Sequence, residues 1–309
     1  SIILRSITKM ITNEILKNIK HVHFIGIGGS GMYPLVQIFH SKGYFITGSD
    51  NNETETLEAV RKLGIEVFLG QRAENIKGAD LIIYTAAIMA DNPELIAAKA
   101  SGAICCERAE ILGLVTSWYT NALCVSGTHG KTTTTSMISE VLLAADMDPT
   151  ISVGGILKTI GGNIRVGKSG NFITEACEYT NSFLHFYPKI SVILNIEEDH
   201  LDFFKDLEDI RHSFHQFSAL LPSDGTLIIN GDIKDYQEIY EGLDCNVITY
   251  GSSAEFDYSA TEIQYDEKGF VSFELLKHNT SCGRVQLSVT GDHLSLIHIS
   301  EPTRRTPIS

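Results

Sequence analysis

Two glycine-rich segments, each placed between a predicted strand and a predicted helix, restrict this chain to folds built on parallel β-sheets. The first segment is Gly26–Gly31, and it begins at the end of the apolar run 21–27. The second is Ser126–Thr133, and it follows the apolar run 122–125. Strand-like and helix-like stretches alternate along the chain, which is typical of a parallel sheet covered by helices. We therefore predict an α/β fold with two strand–loop–helix units of the kind that bind phosphates.

The length of 309 residues suits two domains, with the boundary near Ser117–Asn121. After Phe256 the pattern changes to alternating strands with turns, which predicts a small antiparallel portion near the end. The predicted divisions are a leader, 1–20, a Rossmann-like domain, 21–117, an incomplete P-loop-type ATPase domain, 118–293, and a tail, 294–309.

The helix predicted from Lys131 to about Ala145 has apolar residues at helical spacing. This spacing predicts a face packed against the core. The residues on the predicted face are Met137, Ile138, Val141, Leu142 and Ala145.

The first glycine segment matches the pattern G-x-G-x-x-G. Its glycines permit a tight turn and let backbone N–H groups approach a diphosphate at the helix N-terminus. Asp50 ends the second predicted strand, where such folds place a carboxylate that binds ribose. A tight turn without a ligand is the alternative, and the pattern alone does not separate a nicotinamide dinucleotide from a UDP-sugar. The predicted substrate-binding residues are Gly28, Gly29, Ser30, Gly31 and Asp50.

The second glycine segment predicts an ATP site. A Gly-Lys-Thr sequence at a helix N-terminus supplies backbone donors for phosphates, an ammonium for the β- and γ-phosphates, and a hydroxyl for Mg²⁺. Val125 stands where a standard P-loop has its first glycine. The predicted ATP-binding residues are Gly127, Thr128, His129, Gly130, Lys131, Thr132 and Thr133.

Acidic residues and a histidine follow two further predicted strands. Glu175 and Glu178 come after 171–174, and the segment 197–200 (Glu-Glu-Asp-His) comes after 190–196. Ligands collect beyond the carboxyl ends of parallel strands, so both clusters should lie near the ATP loop. Mg²⁺ prefers oxygen ligands, which makes Glu175 a natural partner of the Thr132 hydroxyl, and His200 could serve a second metal. The predicted metal ligands are Thr132, Glu175 and His200. A solvated acidic loop is the alternative, and Glu197 and Glu198 are interpreted as surface charges.

The charge balance limits the partners. There are 24 Lys and Arg against 38 Asp and Glu, a net charge of −14, which argues against nucleic acid or an anionic membrane as the main partner. No apolar run is long enough for a transmembrane helix. The six cysteines form no C-x-x-C pair, and their scatter suits reduced thiols in a cytoplasm.

The two ends of the sequence differ from the rest. Met10 is a plausible start. The tail 294–309 resembles translated adapter sequence, so we expect it to be non-native.

Five segments in order resemble the Mur ligase family: HFIGIGGSGM (23–32), DNPE (91–94), SGTHGKTTTT (126–135), TEACEYTNSFL (174–184) and NIEEDHLD (195–202). The resemblance extends from His21 to about His293, where Leu294 replaces the asparagine of the family's G-x-H-N segment. Cys177 and Thr180 stand where many relatives have aspartate. The resemblance implies that the chain stops before a third domain, which in the family helps bind the amino acid and adenine.

The resemblance implies an ATP- and Mg²⁺-dependent ligase of peptidoglycan precursor synthesis in the cytoplasm. Its substrates would be UDP-N-acetylmuramate and L-alanine, and the reaction would pass through an acyl phosphate. Lys131 and His200 would be the catalytic residues, and we expect the fragment itself to be inactive. Three alternatives stay open: a sister ligase that attaches a recycled peptide to the same sugar nucleotide, an NAD-dependent oxidoreductase, and a nucleotide-binding regulatory module.

Overall fold

The computed structural model describes residues 11–290, so Met10 and the tail 294–309 lie outside the described residues. The chain forms two compact units. The first unit contains the residues up to Trp118 together with Thr150–Lys168, and the second contains Tyr119–Pro149 and the residues from Ser169 onward. The segment 150–168 thus belongs to the first unit, although the sequence analysis assigned it to the second domain.

Helices and strands alternate through the first 118 residues. Their bounds are α1 Asn13–Leu16, β1 His21–Ile25, α2 Tyr33–Ser41, β2 Phe45–Asp50, α3 Glu55–Lys62, β3 Glu66–Leu69, a 3-10 turn Ala73–Ile76, β4 Leu81–Tyr84, α4 Pro93–Ala100, β5 Ile104–Glu107 and α5 Arg108–Thr116.

The chain then enters the second unit, returns for one hairpin to the first, and completes the second. These bounds are β6 Asn121–Ser126, α6 Lys131–Ala144, β7 Thr150–Leu157, a 3-10 turn Lys158–Ile160, β8 Gly162–Arg165, β9 Asn171–Glu175, a 3-10 segment Tyr179–His185, β10 Ile190–Ile193, α7 Leu207–Ser218, β11 Thr226–Asn230, a 3-10 turn Tyr236–Ile239, β12 Asn246–Gly251, β13 Tyr258–Tyr265, β14 Phe270–Lys277 and β15 Thr280–Thr290.

The first unit is built on a parallel sheet with the strand order β3-β2-β1-β4-β5. Strand β1 is central and almost wholly buried. The order reverses beside β1, since β2 follows on one side and β4 on the other. In open sheets of this type, ligands bind at such a reversal, beyond the carboxyl ends of the strands. The first glycine segment leaves β1 at this point.

The second unit has a parallel core in which β9, β6, β10, β11 and β12 are neighbours in that order. Strands β13, β14 and β15 extend this sheet as an antiparallel meander. The prediction of a Rossmann-like unit followed by an α/β unit with a late antiparallel portion is therefore confirmed. The second glycine segment leaves β6, which lies between β9 and β10.

An aromatic cluster fixes the segment after β9. Phe183 is fully buried, stacks on Phe217 of α7 with ring centroids 4.6 Å apart, and meets Phe214 edge-on at 5.4 Å. Offset and edge-on pairs of this kind add to the free energy gained by burying the rings. The backbone of 179–185 is thereby anchored to α7.

The predicted core face of α6 is confirmed only in part, because Ile138 packs against the buried cluster Val125, Val192 and Leu194 while some other predicted residues are exposed. The residues of this helix that are buried are Thr135 and Ser139, while Val141 is 67% exposed. Helical spacing was read from the apolar residues alone, and it did not predict that the most buried side chains of α6 are the short polar ones of Thr135 and Ser139.

Among residues 11–290, none of the helices combines the length and the apolar content that a membrane crossing requires.

Candidate nucleotide-binding sites

The first glycine loop is fixed to the end of β2 by its own backbone. The amides of Gly26 and Ile27 both donate to the carbonyl oxygen of Ser49, at 2.8 and 2.9 Å. Gly26 adopts φ 82°, a conformation that favours glycine. The turn that the G-x-G-x-x-G pattern predicts is therefore held in one geometry.

Asp50 shapes the same loop. One of its carboxylate oxygens accepts the Gly28 amide at 2.9 Å, and the other accepts the amide of Asn52 at 3.1 Å. A side chain on Gly28 would meet that carboxylate at 3.0 Å. The structure thus gives Asp50 a local role in forming the loop, and the predicted contact between Asp50 and ribose stays a prediction.

A fully buried polar network lies beneath this loop. His23 Nε2 is 2.7 Å from Glu94 Oε1, and both residues have no exposed surface. The Ser49 hydroxyl donates to the other oxygen of Glu94 at 2.6 Å, and His23 Nδ1 is 2.7 Å from the Thr47 hydroxyl. Buried polar groups that all have partners make a site rigid. The network joins β1, β2 and α4 at the residue whose carbonyl holds the loop.

The second glycine loop passes close to the chain that leaves β10. Gly127 adopts φ 143°, and a Cβ added to it would lie 3.0 Å from Leu194 Cβ and 3.1 Å from the Asn195 nitrogen. Gly130, the residue before α6, adopts φ 84°. Only glycine fits both the backbone and the space at position 127.

Asn195 holds this loop by a pair of side-chain bonds. Its Oδ1 accepts the His129 amide at 2.8 Å, and its Nδ2 donates to the His129 carbonyl at 3.0 Å. The Thr128 hydroxyl accepts the Glu197 amide at 2.9 Å. Thr128 and His129 are thus fixed from the β10 side, while the His129 ring is largely exposed.

Replacing Gly127 with alanine should lower the free energy of unfolding by about 1–3 kcal/mol, since the new Cβ meets backbone in a conformation reserved for glycine. Gly269→Ala is a matched control in the same unit, because Gly269 also has positive φ but faces open space. Urea unfolding followed by circular dichroism gives both values. Equal losses for the two variants would contradict the crowding inferred at Gly127.

The Lys131 side chain contacts backbone carbonyls of its own loop and a carboxylate. Its Nζ donates to the carbonyls of Gly127 and Thr128, at 2.5 and 3.2 Å, and lies 3.0 Å from Glu178 Oε2. The side chain of Glu178 is only 3% exposed. The sequence analysis gave Glu178 no role, although its position three residues after Glu175 was visible. A buried carboxylate paired with this lysine belongs to the site.

Thr132 and Glu175 meet at the start of α6. The Thr132 hydroxyl donates to Glu175 Oε2 at 3.0 Å. A hydroxyl and a carboxylate are the hard oxygen ligands that Mg²⁺ prefers, and the lysine beside them suits phosphate, so the residues present fit Mg²⁺ and a nucleotide. Across residues 11–290, no cluster of three or more His, Cys, Asp or Glu residues is poised to hold a metal.

His200 lies on the other side of Glu178. Its Nε2 is 3.8 Å from Glu178 Oε1, and its ring centroid is 4.5 Å from that of Tyr179. The hydrogen bond from Tyr179 to the Asp202 carboxylate raises the pKa of the phenol. Lys131, Glu178 and His200 therefore form one connected group, and the contact of His200 with metal stays a prediction.

Three non-glycine residues near Glu178 adopt the left-handed backbone conformation. Thr180, Asn181 and His200 have φ of 54°, 57° and 52°. This conformation is unfavourable for a β-branched residue such as threonine. Strained backbone concentrates at functional sites, where the surrounding structure holds it.

Two family models match the chain. The model described as "Mur ligase family, catalytic domain" matches residues 21–119, and the model described as "Mur ligase middle domain" matches residues 125–295.

Individual relatives extend this similarity. A UDP-N-acetylmuramate–L-alanine ligase of Agathobacter rectalis is 53% identical over 274 residues, which cover 88% of this chain and 60% of the relative. A Neisseria meningitides structure of UDP-N-acetylmuramate:L-alanyl-gamma-D-glutamyl-meso-diaminopimelate ligase superposes with a TM-score of 0.79 at 29% identity, covering 89% of both chains. A UDP-N-acetylmuramate-alanine ligase from Thermotoga maritima gives a TM-score of 0.77 at 28% identity, covering 89% of this chain and 62% of that one. This chain thus spans about 60% of the length of its curated relatives.

Proposed function

Because the chain belongs to the Mur ligase family, we propose that it carries the nucleotide sites of an ATP-dependent ligase that joins L-alanine to UDP-N-acetylmuramate. The observation that carries this proposal is the arrangement at α6. There Lys131 lies in the second glycine loop and the Thr132 hydroxyl donates a hydrogen bond to Glu175, in a chain whose first glycine loop follows β1. An NAD-dependent oxidoreductase would leave the α6 loop without a purpose.

The proposed reaction has two steps. The lactyl carboxylate forms a bond to the γ-phosphorus of ATP, the bond between that phosphorus and the β-phosphate oxygen breaks, and ADP leaves. The amine of L-alanine then attacks the acyl carbon, the bond to phosphate breaks, and the amine loses a proton. Neither step needs a covalent nucleophile from the protein, so positioning and positive charge are what the site must supply.

Lys131 would neutralise the β- and γ-phosphates, and the loop amides would orient them. Thr132 and Glu175 would hold Mg²⁺, which neutralises phosphate charge when bound. His200 would serve a second metal. Glu178 would keep Lys131 and His200 in place through the contacts described above.

The first loop would hold the UDP part of the sugar nucleotide at Gly28, Gly29, Ser30 and Gly31, with Asp50 beside it. L-alanine is proposed as the acceptor because the relatives near 50% identity are named L-alanine ligases, whereas the peptide ligase structure is 29% identical. We also propose a cytoplasmic location, which six reduced cysteines suit.

Calorimetry on the whole 309-residue chain tests the assignment. UDP-N-acetylmuramate and ATP with Mg²⁺ should each bind, and NADH should not. The whole chain is needed because the first unit includes Thr150–Lys168. Tight binding of NADH without binding of the UDP-sugar would contradict the proposal and would favour an oxidoreductase.

A further inference from the structure

The first glycine loop has already used most of its backbone donors. The amides of residues 26–29 all donate within the protein: two to the Ser49 carbonyl, one to the Asp50 carboxylate, and that of Gly29 to the Gly26 carbonyl at 3.1 Å. Among the described residues, the amides of Ser30 and Gly31 have no such acceptor. The loop therefore offers a diphosphate fewer donors than its glycine pattern indicates.

The charge near the loop is also unfavourable for an anion. None of the six residues of the motif is charged, and the Asp50 carboxylate lies against the Gly28 amide. A diphosphate bound here would meet a negative carboxylate and two free amides. Charge-assisted bonds are the strong ones in phosphate recognition, so a cation should be close.

The position of Arg108 makes it the cation expected near this loop. It is the first residue of α5, directly after β5, at the carboxyl edge of the same sheet. A Cβ built on Gly31 would lie 3.6 Å from the Nε, Nη1 and Cζ atoms of Arg108, so the guanidinium lies alongside the loop. Arg108 is partly buried, and within residues 11–290 its side chain makes neither a hydrogen bond nor an ion pair.

A half-buried guanidinium without a carboxylate partner is uncommon in a chain whose acidic residues outnumber its basic ones by 38 to 24. Arginine presents several N–H groups in a fixed plane, a geometry that matches phosphate oxygens. Its position leaves those groups available beside the Ser30 and Gly31 amides. Cation and amides together would form one anion site.

We propose that Arg108 binds the diphosphate of the nucleotide held at the first glycine loop. The identity of that nucleotide as a UDP-sugar rests on the proposed function. The guanidinium supplies the charge that the motif lacks, and the Ser30 and Gly31 amides supply direction. Arg108 lies outside every segment that the glycine patterns single out.

The test compares Arg108→Gln with the wild-type chain by calorimetry, using UDP, uridine and NADH as probes. Arg72→Gln is the matched control, because it removes one positive charge from an exposed position in the same unit. Arg108→Gln should weaken UDP binding about tenfold or more, as loss of a charge-assisted bond implies, and should leave uridine within twofold. Arg72→Gln should leave both ligands within twofold. Unfolding curves of both variants should match the wild type.

Arg108→Lys should recover part of the UDP affinity, since it keeps the charge and loses the planar fork. UDP affinity of Arg108→Gln within twofold of wild type would overturn the proposal and leave the ligase assignment standing. If wild type bound NADH and not UDP, and Arg108→Gln lost NADH, the ligase assignment would fail while Arg108 kept its role. A wild-type chain that bound no diphosphate at all would overturn both.

Discussion

Replacing Lys131 with alanine should lower ligase turnover about a thousandfold or more, measured in a version of the chain extended to the length of its curated relatives. The side chain sits in the loop at the start of α6 with its ammonium on the carbonyls of Gly127 and Thr128. A charge that follows the γ-phosphate into the transition state is worth several kcal/mol, and each 1.4 kcal/mol is about a tenfold change in rate. The measurement is phosphate release with UDP-N-acetylmuramate, L-alanine and ATP present.

Lys234→Ala is the control for this prediction, because that lysine is 92% exposed in the same unit. It should keep wild-type turnover. UDP-sugar binding should persist in Lys131→Ala, because the first glycine loop belongs to the other unit. Near-normal turnover of Lys131→Ala would end the ATP assignment of the second loop.

Replacing Phe183 with alanine should lower the free energy of unfolding by about 3–5 kcal/mol, the usual cost of removing a buried aromatic ring. The ring is fully buried against Phe214 and Phe217. At about 2–4 °C per kcal/mol for domains of this size, the melting temperature should fall by roughly 10 °C. ATP binding should weaken as well, because Glu178, the carboxylate that contacts Lys131, directly precedes the same segment.

Scanning calorimetry and urea unfolding measure the loss. Tyr187→Ala is the control, since Tyr187 lies close by in the chain but is 55% exposed. It should change the free energy of unfolding by less than about 1 kcal/mol. A similar loss for both variants would show that the aromatic cluster does not anchor the segment.

The sequence predicted best those structural features that depend on residues close together in the chain. A glycine loop between a strand and a helix is specified by neighbouring residues, and both loops lie where the patterns place them. The parallel order of the strands follows from the alternation of helix and strand. Helix α4 begins at Pro93 with Asn92 as its cap, which a proline in a first turn predicts.

The contact between Thr132 and Glu175 was predicted from their positions at strand ends, but other features that depend on distant residues were not. Val141 has helical spacing with apolar neighbours but faces solvent, because packing and not periodicity decides which side of α6 turns inward. Spacing also does not say which of two nearby carboxylates meets Lys131, and the structure selects Glu178. Arg108 is 77 residues from Gly31 in the chain, so only the folded sheet brings the two together.

The hairpin Thr150–Arg165 has a consequence for how the chain folds as it is made. It belongs to the first unit, although the strand and helix that precede it belong to the second. Fifty residues separate Trp118 from Lys168, so at about 5–20 residues per second a ribosome needs roughly 3–10 s to deliver the missing piece. During that interval the first unit lacks this hairpin while β6 and α6 emerge. Synthesis of the second unit therefore begins before the first unit is complete, so the two units are not made one after the other.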